Sequence, residues 1–224
     1  MNNKEEIRAI ILAAGRGTRM NSNKAKAAHE LLGLPIIIHV ANSLNEAGID
    51  SLITVVGYQK ESIIEILKDR SKYAIQDEQL GTAHAVMMTE EHLKDELGLT
   101  LITVGDMPLV SSNTYANLIN KHLAEAADLT VLSTIHPHPN GYGRIVRDEG
   151  GNILEIIEDK DCSPNQRTIS EINASIYLVD NQKLFESINK IQTDNQQNEF
   201  YLTDIVKIFK EKGYIITTYI KKEL

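Results

Sequence analysis

The sequence predicts an α/β fold: a doubly wound, mixed sheet that is mostly parallel, with a small antiparallel lobe added to it. Two observations support this. Over the first 135 residues, short apolar runs alternate with segments of helical periodicity, which is typical of βαβ units with helices on both faces of a sheet. Beyond residue 135, strand-like runs follow one another across glycine turns, as in an antiparallel insert.

The first part of the chain predicts four helices between five strands. The apolar repeat that begins at Ile36 stops before Gly48, and glycine favours the left-handed conformation in which many helices end. Thr82 has the side chain of an N-cap and is expected to start the third helix. The predicted strands are 7–14, 51–56, 73–75, 99–104 and 129–135, and the predicted helices are 36–47, about 60–67, 82–88 and about 113–127.

The second part predicts the antiparallel lobe and a return to the sheet. Residues 141–147 and 153–158 read as strands joined by the turn at Gly150 and Gly151, and 170–179 reads as a third strand. Helices at about 182–191 and 202–210 and a strand at 214–220 follow. We therefore expect one domain over residues 1–224, Rossmann-like in its first part (about 1–135), with the lobe at about 136–180.

Composition limits the classes of partner. The chain has 23 Lys and Arg against 31 Asp and Glu, a net charge of −8, which argues against nucleic-acid or anionic-membrane binding. It has no apolar run near the roughly 20 residues needed to span a bilayer, and its first residues lack the apolar core of a signal peptide. A single cysteine, Cys162, forms no internal disulfide, so we expect a cytoplasmic protein.

The loop after the first strand is the strongest candidate for an anion site. Gly15 and Gly17 free main-chain N–H groups to turn toward one anion. The spacing is not that of a P-loop, and Met20 replaces the third glycine of a dinucleotide fingerprint. Arg19 and Lys26 can instead clamp a triphosphate. The alternative is a solvated loop that happens to carry basic side chains: Arg16, Arg19, Lys24 and Lys26.

Two further stretches fall where strands are predicted to end. Asp106 follows an apolar strand and Gly105, which suits a Mg²⁺ ligand because this ion takes few protein oxygens and keeps phosphates and water. The alternative is a turn-forming aspartate. Gln76 opens a polar stretch whose amide groups can read the edge of a base, while Gly81 permits close approach and Thr82 offers a hydroxyl. The alternative is an ordinary polar loop with a helix cap.

The lobe contributes a fourth candidate set. Gly143, Glu158 and Asn173 each lie near a predicted strand end and together supply donors and acceptors suited to sugar hydroxyls and an amide. Any of them alone is more often structural. The seven histidines show no metal-ligand spacing, and Cys162 has no evident catalytic partner.

Taken in order, these stretches resemble a known family. The set resembles sugar-1-phosphate nucleotidyltransferases and looks most like the pyrophosphorylase domain of bacterial N-acetylglucosamine-1-phosphate uridyltransferases, over residues of about 7 to 219. The motifs are Leu12-Ala13-Ala14-Gly15-x-Gly17-Thr18-Arg19-Met20 with Lys26, Gln76-x-x-Gln79-Leu80-Gly81-Thr82-x-His84-Ala85, Gly105-Asp106-x-Pro108-Leu109, Gly141-Tyr142-Gly143-Arg144-Ile145, Glu158-x-Lys160-Asp161, Glu171-Ile172-Asn173 and Tyr201-Leu202-Thr203-Asp204.

The resemblance implies a reaction and a role for each residue. UTP and N-acetylglucosamine 1-phosphate would give UDP-N-acetylglucosamine, a peptidoglycan precursor, and pyrophosphate. The implied catalytic residues are Arg19, Lys26 and Asp106, of which Asp106 would bind Mg²⁺. The resemblance also implies that the lobe binds the sugar, with Gly143, Glu158 and Asn173 as the contacting residues. The implied nucleotide-binding residues are Leu12, Ala13, Ala14, Gly15, Gln76, Gln79, Gly81, Thr82, Val104 and Gly105.

The chain also departs from the family pattern. Ala25 stands where the family usually has proline, which is expected to loosen the placement of Lys26. After Asn173 the family usually has a small residue and then glycine, where this chain has Ala174 and Ser175, and Asn198 stands where a glycine usually precedes Glu199. These departures are expected to affect sugar specificity. The family's second Mg²⁺ ligand, an asparagine, and its β-helix acetyltransferase domain lie beyond Leu224. Without them we expect weaker Mg²⁺ binding and a monomer or weak self-association.

Two alternatives to the uridyltransferase remain open from the sequence. One is a relative that uses another nucleotide or another sugar 1-phosphate, because the phosphate-binding residues are common to the family. The other is a nucleotide-sugar-binding module with little catalysis.

Overall fold

The structure, a computed structural model, describes residues 6–17 and 24–222. Within them, the strands are β1 Ile7–Ala13, β2 Glu30–Leu31, β3 Leu34–Pro35, β4 Ser51–Val56, β5 Lys72–Ile75, β6 Leu99–Val104, β7 Leu129–Ile135, β8 Arg144–Arg147, β9 Ile153–Ile157, β10 Glu171–Asp180 and β11 Ile216–Lys221. The helices are α1 Ile36–Glu46, α2 Lys60–Leu67, α3 Thr82–Met87, α4 Glu90–Leu93, α5 Ser112–Ala124, α6 Asn181–Ile188 and α7 Ile205–Glu211.

The central sheet is mixed and mostly parallel, as predicted. Its strand order is β11-β7-β10-β6-β1-β4-β5. Strand β1 is central and pairs in parallel with both β4 and β6, so that Ile10 lies between Ile53 and Ile102. The carboxyl ends of these three strands therefore meet at one edge of the sheet, which is where open α/β sheets bind their ligands.

Both faces of the sheet are covered, which explains the continuous apolar strands. Along β1, Ile10 packs into one core layer and Ile11 into the other, because successive side chains of a strand point to opposite faces. Helices α1, α2 and α5 cover the Ile11 face, whereas α3, α6 and α7 cover the Ile10 face. This is the doubly wound arrangement that the alternating pattern predicts. In the described part of the chain, no helix is long and apolar enough to cross a membrane.

The lobe is joined to the sheet more closely than expected. The strand predicted at 170–179 is β10, which lies between β6 and β7 in the central sheet and runs antiparallel to both. Its first residues also pair with β8, where Ile172 faces Arg144, and β8 pairs in turn with β9. A register shift lies between Asn173 and Tyr177, with Ser175 at φ +57°. This irregularity separates the start of β10, which pairs with β8, from the part that lies between β6 and β7. The division of the chain at about residue 135 stays a prediction.

Several element boundaries differ from the prediction for local reasons. The helix expected to reach residue 127 ends at Ala124, because Ala126 is left-handed with φ +47°. The last predicted helix begins with one 3₁₀ turn, Leu202–Asp204. The β2–β3 hairpin and α4 were not predicted, since each is too short to show periodicity.

Candidate active site

A cleft of about 390 Å³ opens at the carboxyl ends of β1 and β6. Ten residues predicted to bind a nucleotide lie along it together with two of the three predicted catalytic residues. Arg19 lies outside the described residues. The predicted residues on the cleft are Leu12, Ala13, Ala14, Gly15, Gln76, Gln79, Gly81, Thr82, Val104, Gly105, Lys26 and Asp106, and Gly17, Ala27, Ala85 and Glu199 also line it.

The floor of the cleft is formed by main-chain atoms of neighbouring segments that hydrogen-bond to one another. The N–H of Gly105 donates to the carbonyl oxygen of Leu12 at 2.9 Å, which ties the end of β6 to the end of β1. The N–H of Tyr58 donates to the Ala14 oxygen at 3.2 Å. A Cβ on Gly57 would lie 2.7 Å from the main-chain oxygen of Gln76, so only glycine fits there. These contacts keep side chains away from the floor and leave room for a ligand.

Lys26 and Asp106 face each other across this floor and form an ion pair, with Lys26 Nζ donating to Asp106 Oδ2. Asp106 directly follows β6, and Lys26 begins a 3₁₀ turn, Lys26–Ala28, whose alanines are buried. Gly17, at φ +59°, packs on the stem of Lys26, where an added Cβ would lie 2.9 Å from its Cβ. The two charged ends remain partly exposed, at 38% and 29% of their side chains, so a ligand can reach both.

Ala25, which stands where the family usually has proline, has a backbone conformation that proline can also adopt. Ala25 is fully buried, with ψ 138° and with φ −55°, a φ within the range that a proline ring imposes. Ala25, Ala27 and Ala28 are buried in the core beside the turn, and the expected loosening of Lys26 stays a prediction.

The stretch from Gln76 to Thr82 forms the side wall and is folded on itself. Gln76 Nε2 donates to the Gly81 oxygen at 3.1 Å, and Gln79 Nε2 donates to the Gln76 oxygen at 3.1 Å. Gly81 has φ +117°, and a Cβ on it would lie 2.4 Å from the Phe200 oxygen. Glycine is thus required here by conformation and by contact.

The prediction that Thr82 caps α3 is wrong. The N-cap is Gly81, without a side-chain cap, and Thr82 is the first residue of the helix. Its hydroxyl oxygen accepts a hydrogen bond from the Leu202 N–H at 2.9 Å. A partner 120 residues away overrides the local preference of threonine for the cap.

The three residues predicted to bind sugar also lie together. The Asn173 N–H donates to the Gly143 oxygen at 2.9 Å. A Cβ on Gly143 would lie 3.6 Å from Glu158 Oε1 and 3.6 Å from Asn173 Cβ, which shows how closely the three residues approach. The Asn173 amide donates to Tyr177 Oη at 2.7 Å and its Oδ1 accepts from the Ser175 N–H at 3.0 Å. These residues form a cluster separate from the lining of the cleft.

Glu158 is the titratable group of this cluster. Burial raises its pKa, a hydrogen bond from the Thr203 hydroxyl at 3.2 Å opposes the rise, and the charges of Asp161 and Asp204 add to it. Burial also raises the pKa of Asp204, with Lys207 opposing. Thr203 lies one residue from Leu202, which is bonded to Thr82, so one short segment connects the cluster to the wall of the cleft.

Glu199 lines the cleft and was missed by the sequence interpretation. Its loop is organised by Asn195, whose Oδ1 accepts from the Glu199 N–H at 3.2 Å and whose Nδ2 donates to the Glu199 oxygen at 2.6 Å. The stretch around it has no helical or strand periodicity. The only available signal was Asn195 itself, a residue type that folds loops through its side chain.

The chain belongs to the nucleotidyl transferase family, whose model matches residues 8–223. Within that class it is 46% identical over 211 residues to the bifunctional protein GlmU of Geobacillus sp. (strain WCH70), and 46% identical over 211 residues to that of Limosilactobacillus reuteri (strain DSM 20016). Each match covers 94% of this chain and 46% of the relative, so the chain spans about half the length of these curated relatives.

The fold has a solved counterpart. A structure described as a glucose-1-phosphate thymidylyltransferase from Bacillus anthracis, in complex with sucrose, superimposes with a TM-score of 0.77 over 96% of this chain and 87% of that chain. At 19% identity, this likeness concerns the fold alone.

Proposed function

We propose that the protein transfers UMP from UTP to N-acetylglucosamine 1-phosphate, giving UDP-N-acetylglucosamine and pyrophosphate. One observation carries the proposal: a single cleft combines a main-chain floor after β1, the ammonium group of Lys26 and the carboxylate of Asp106. The family membership and the identity to GlmU proteins support the same reaction class and substrate pair.

The chain's own groups suit a displacement at phosphorus. A phosphate oxygen of the sugar phosphate attacks the α-phosphorus of UTP, and the bond from that phosphorus to the oxygen bridging to the β-phosphate breaks. Pyrophosphate leaves with this oxygen and its charge. Lys26 stands at the floor of the cleft to neutralise that charge, and positioning with electrostatic stabilisation is sufficient without a protein nucleophile.

The donor set around Asp106 fits Mg²⁺. No group of three or more carboxylate, histidine or cysteine side chains that could hold a metal occurs within residues 6–17 and 24–222. One partly exposed carboxylate beside a phosphate cleft is the kind of site that Mg²⁺ occupies, because this ion keeps water and substrate phosphates as its other ligands. We propose Asp106 as its protein ligand, and a bound Mg²⁺ would supply charge neutralisation to the phosphates.

The cluster of Gly143, Glu158 and Asn173 is proposed to receive the sugar. Glu158 offers carboxylate oxygens to hydroxyl donors, and Gly143 leaves a gap beside it that any side chain would fill. The segment from Leu202 to Thr203 connects this cluster to the side wall of the cleft, through Leu202 to Thr82 and through Thr203 to Glu158. The acceptor sugar phosphate and the nucleotide would therefore be held by connected parts of the structure.

Pyrophosphate release tests the proposal. The protein is incubated with Mg²⁺, one nucleoside triphosphate (UTP, CTP, ATP, GTP or dTTP) and one sugar phosphate (N-acetylglucosamine 1-phosphate or glucose 1-phosphate). We expect the highest kcat/KM for UTP with N-acetylglucosamine 1-phosphate. A clear preference for another pair would replace the proposed substrates, and calorimetric binding of UDP-N-acetylglucosamine without turnover would replace catalysis by binding.

A further inference from the structure

Arg144 is a fully buried cation beside the cluster that is proposed to receive the sugar. It is the first residue of β8, and none of its surface is exposed. Its Nη1 donates to the Tyr142 oxygen, and its Nη2 donates to Asp159 Oδ1 at 3.0 Å in a salt bridge. Its Nε has no hydrogen-bond partner among the residues that the structure describes. A buried ion pair adds little net stability, because the loss of hydration offsets the attraction. The consequence of this pair is therefore sought in the geometry that it imposes.

The main chain of Arg144 lies next to all three residues of the cluster. Arg144 directly follows Gly143. It pairs with Ile157 of β9 on one side and with Ile172 of β10 on the other. These two partners are the residues that immediately precede the other two members of the cluster. The start of β8 is thus the point from which the whole cluster is built.

Strand pairing alone does not span the gap between Gly143 and Glu158. The ladder of β8 and β9 ends at the pair that Arg144 makes, one residue short of both. Beyond that end, the guanidinium bonds the residue before Gly143 and the residue after Glu158, which are Tyr142 and Asp159. Because the guanidinium is planar and its N–H groups point in fixed directions, it sets how far apart these two segments lie. The gap is narrow, since a Cβ on Gly143 would lie 3.6 Å from Glu158 Oε1.

We propose that Arg144 is a positioning residue for the sugar: its guanidinium holds Gly143 and Glu158 at the separation that the sugar requires. The inference rests on the proposed function, in which this cluster receives the sugar. Because Arg144 is fully buried, it acts through its neighbours and not on the sugar directly. It also lies outside the lining of the cleft that is proposed to hold the nucleotide. Loss of the bridge should therefore weaken the binding of the sugar and leave the binding of the nucleotide unchanged.

The first variant removes the bridge without leaving a buried charge. In the double variant Arg144→Met with Asp159→Asn, both charges of the pair are lost together, because removal of one partner alone would leave the other uncompensated and destabilise the fold. Arg167 lies 4.0 Å from Asp159 and is about half exposed, so it stays hydrated in this variant. The second variant, Arg144→Lys, keeps the charge, but its single ammonium group does not reproduce a planar fork that bonds two acceptors.

The readout is the ratio of the affinities for UDP-N-acetylglucosamine and UDP, measured calorimetrically with Mg²⁺. A change in this ratio reports on the contacts of the sugar, and the ratio does not depend on the fraction of folded protein. Loss of two fixed hydrogen bonds predicts a roughly tenfold fall in the ratio for the double variant and a smaller fall for Arg144→Lys. The affinity for UDP should not change. In steady-state kinetics, the KM for N-acetylglucosamine 1-phosphate should rise while the KM for UTP stays the same. A role of Arg144 in folding alone would lower the amount of active protein and alter neither KM.

Arg147→Lys is the matched control. Arg147 lies at the other end of β8 and forms its ion pair with Glu171, so the same substitution in the same strand should leave the ratio unchanged. Glu158→Gln separates the two possible failures. If Glu158→Gln lowers the ratio and neither variant of Arg144 does, this inference fails and the proposed function stands. If Glu158→Gln leaves the ratio unchanged, the proposed sugar site fails and the inference with it.

Discussion

The two sides of the site are built by different means. The loop side, residues 12–17, 76–82 and 104–106, presents main-chain groups and small residues, and two of its glycines, Gly17 and Gly81, combine positive φ with close contacts. The lobe side, formed by Gly143, Glu158 and Asn173 with Thr203, presents side chains already engaged in hydrogen bonds, Glu158 with Thr203 and Asn173 with Tyr177. Main chain is suited to phosphate and ribose, which many ligands share, whereas a network of side chains can distinguish one sugar from another. We propose that the loop side supplies the chemistry common to the family and the lobe side supplies the specificity for the sugar.

The largest expected effect is on the loop side, from Asp106→Asn. This change keeps the size of the side chain but removes the negative charge that we propose binds Mg²⁺. The kcat/KM for pyrophosphate release should therefore fall by about 10²–10³-fold. Asp50→Asn is the control, because Asp50 is exposed and precedes β4 at the opposite end of that strand from the cleft. Activity within a few-fold of wild type, with normal circular dichroism, would refute the assignment of Asp106.

The next effect is on stability and concerns the contact between Gly81 and Phe200. Gly81→Ala places a Cβ 2.4 Å from the Phe200 oxygen at φ +117°, so the free energy of unfolding should drop by about 2–4 kcal/mol. Gly141→Ala is the matched control: φ is +85°, but nothing lies within 4 Å of the added atom, so about 1 kcal/mol is expected. Urea denaturation measures both. Equal losses would show that backbone strain, not the contact with Phe200, makes glycine necessary at residue 81.

On the lobe side, Glu158→Gln is expected to raise the free energy of unfolding at neutral pH, by less than Gly81→Ala lowers it. Burial raises the pKa of Glu158 above its ordinary 4.5, so the folded state keeps the proton to a higher pH than the unfolded chain. Folding then becomes less favourable as the pH rises through this range, and the full cost persists above it. Glutamine carries no such cost and still accepts from Thr203. The advantage of the variant should be present at pH 7 and vanish below about pH 4.5.

The same substitution should weaken the use of the sugar phosphate. Denaturation curves at pH 4 and pH 7 test the stability, and the KM for N-acetylglucosamine 1-phosphate tests the function. A variant that is more stable at pH 7 and unchanged in this KM would leave Glu158 as a buried carboxylate without a role in binding sugar. A pH-independent stability difference would contradict the raised pKa.

The loop side could be predicted because its signals are local. The glycines of residues 12–17 follow an apolar strand directly, and the predicted bounds of β4, β6 and α2 agree with the structure. Strand ends that meet at one edge of a parallel sheet then place Asp106 near Lys26 without further information. The individual nucleotide-binding residues of this side, in contrast, were implied only by the resemblance to the family.

The connections between the two sides could not be predicted, because they depend on pairing between distant segments. The insertion of β10 between β6 and β7 has no signature in the periodicity of residues 170–179. Thr82 has the sequence features of a cap, yet its hydroxyl accepts from Leu202. Glu199 reaches the cleft through a loop folded by Asn195. Each of these is a tertiary contact that overrides or lacks a local preference.

The smallest expected effect tests how far the loop side depends on a preformed main chain. Ala25 already has φ −55°, so Ala25→Pro should remove freedom mainly from the unfolded chain and raise the free energy of unfolding by about 0.4–1 kcal/mol. Because the turn that carries Lys26 is fixed by buried alanines, KM for UTP should not change. Thermal and urea denaturation measure the first effect, and steady-state kinetics measure the second. A lower stability would mean that the core around Ala25 leaves no room for a proline ring. Packing of the alanine, not a proline ring, would then fix the position of Lys26.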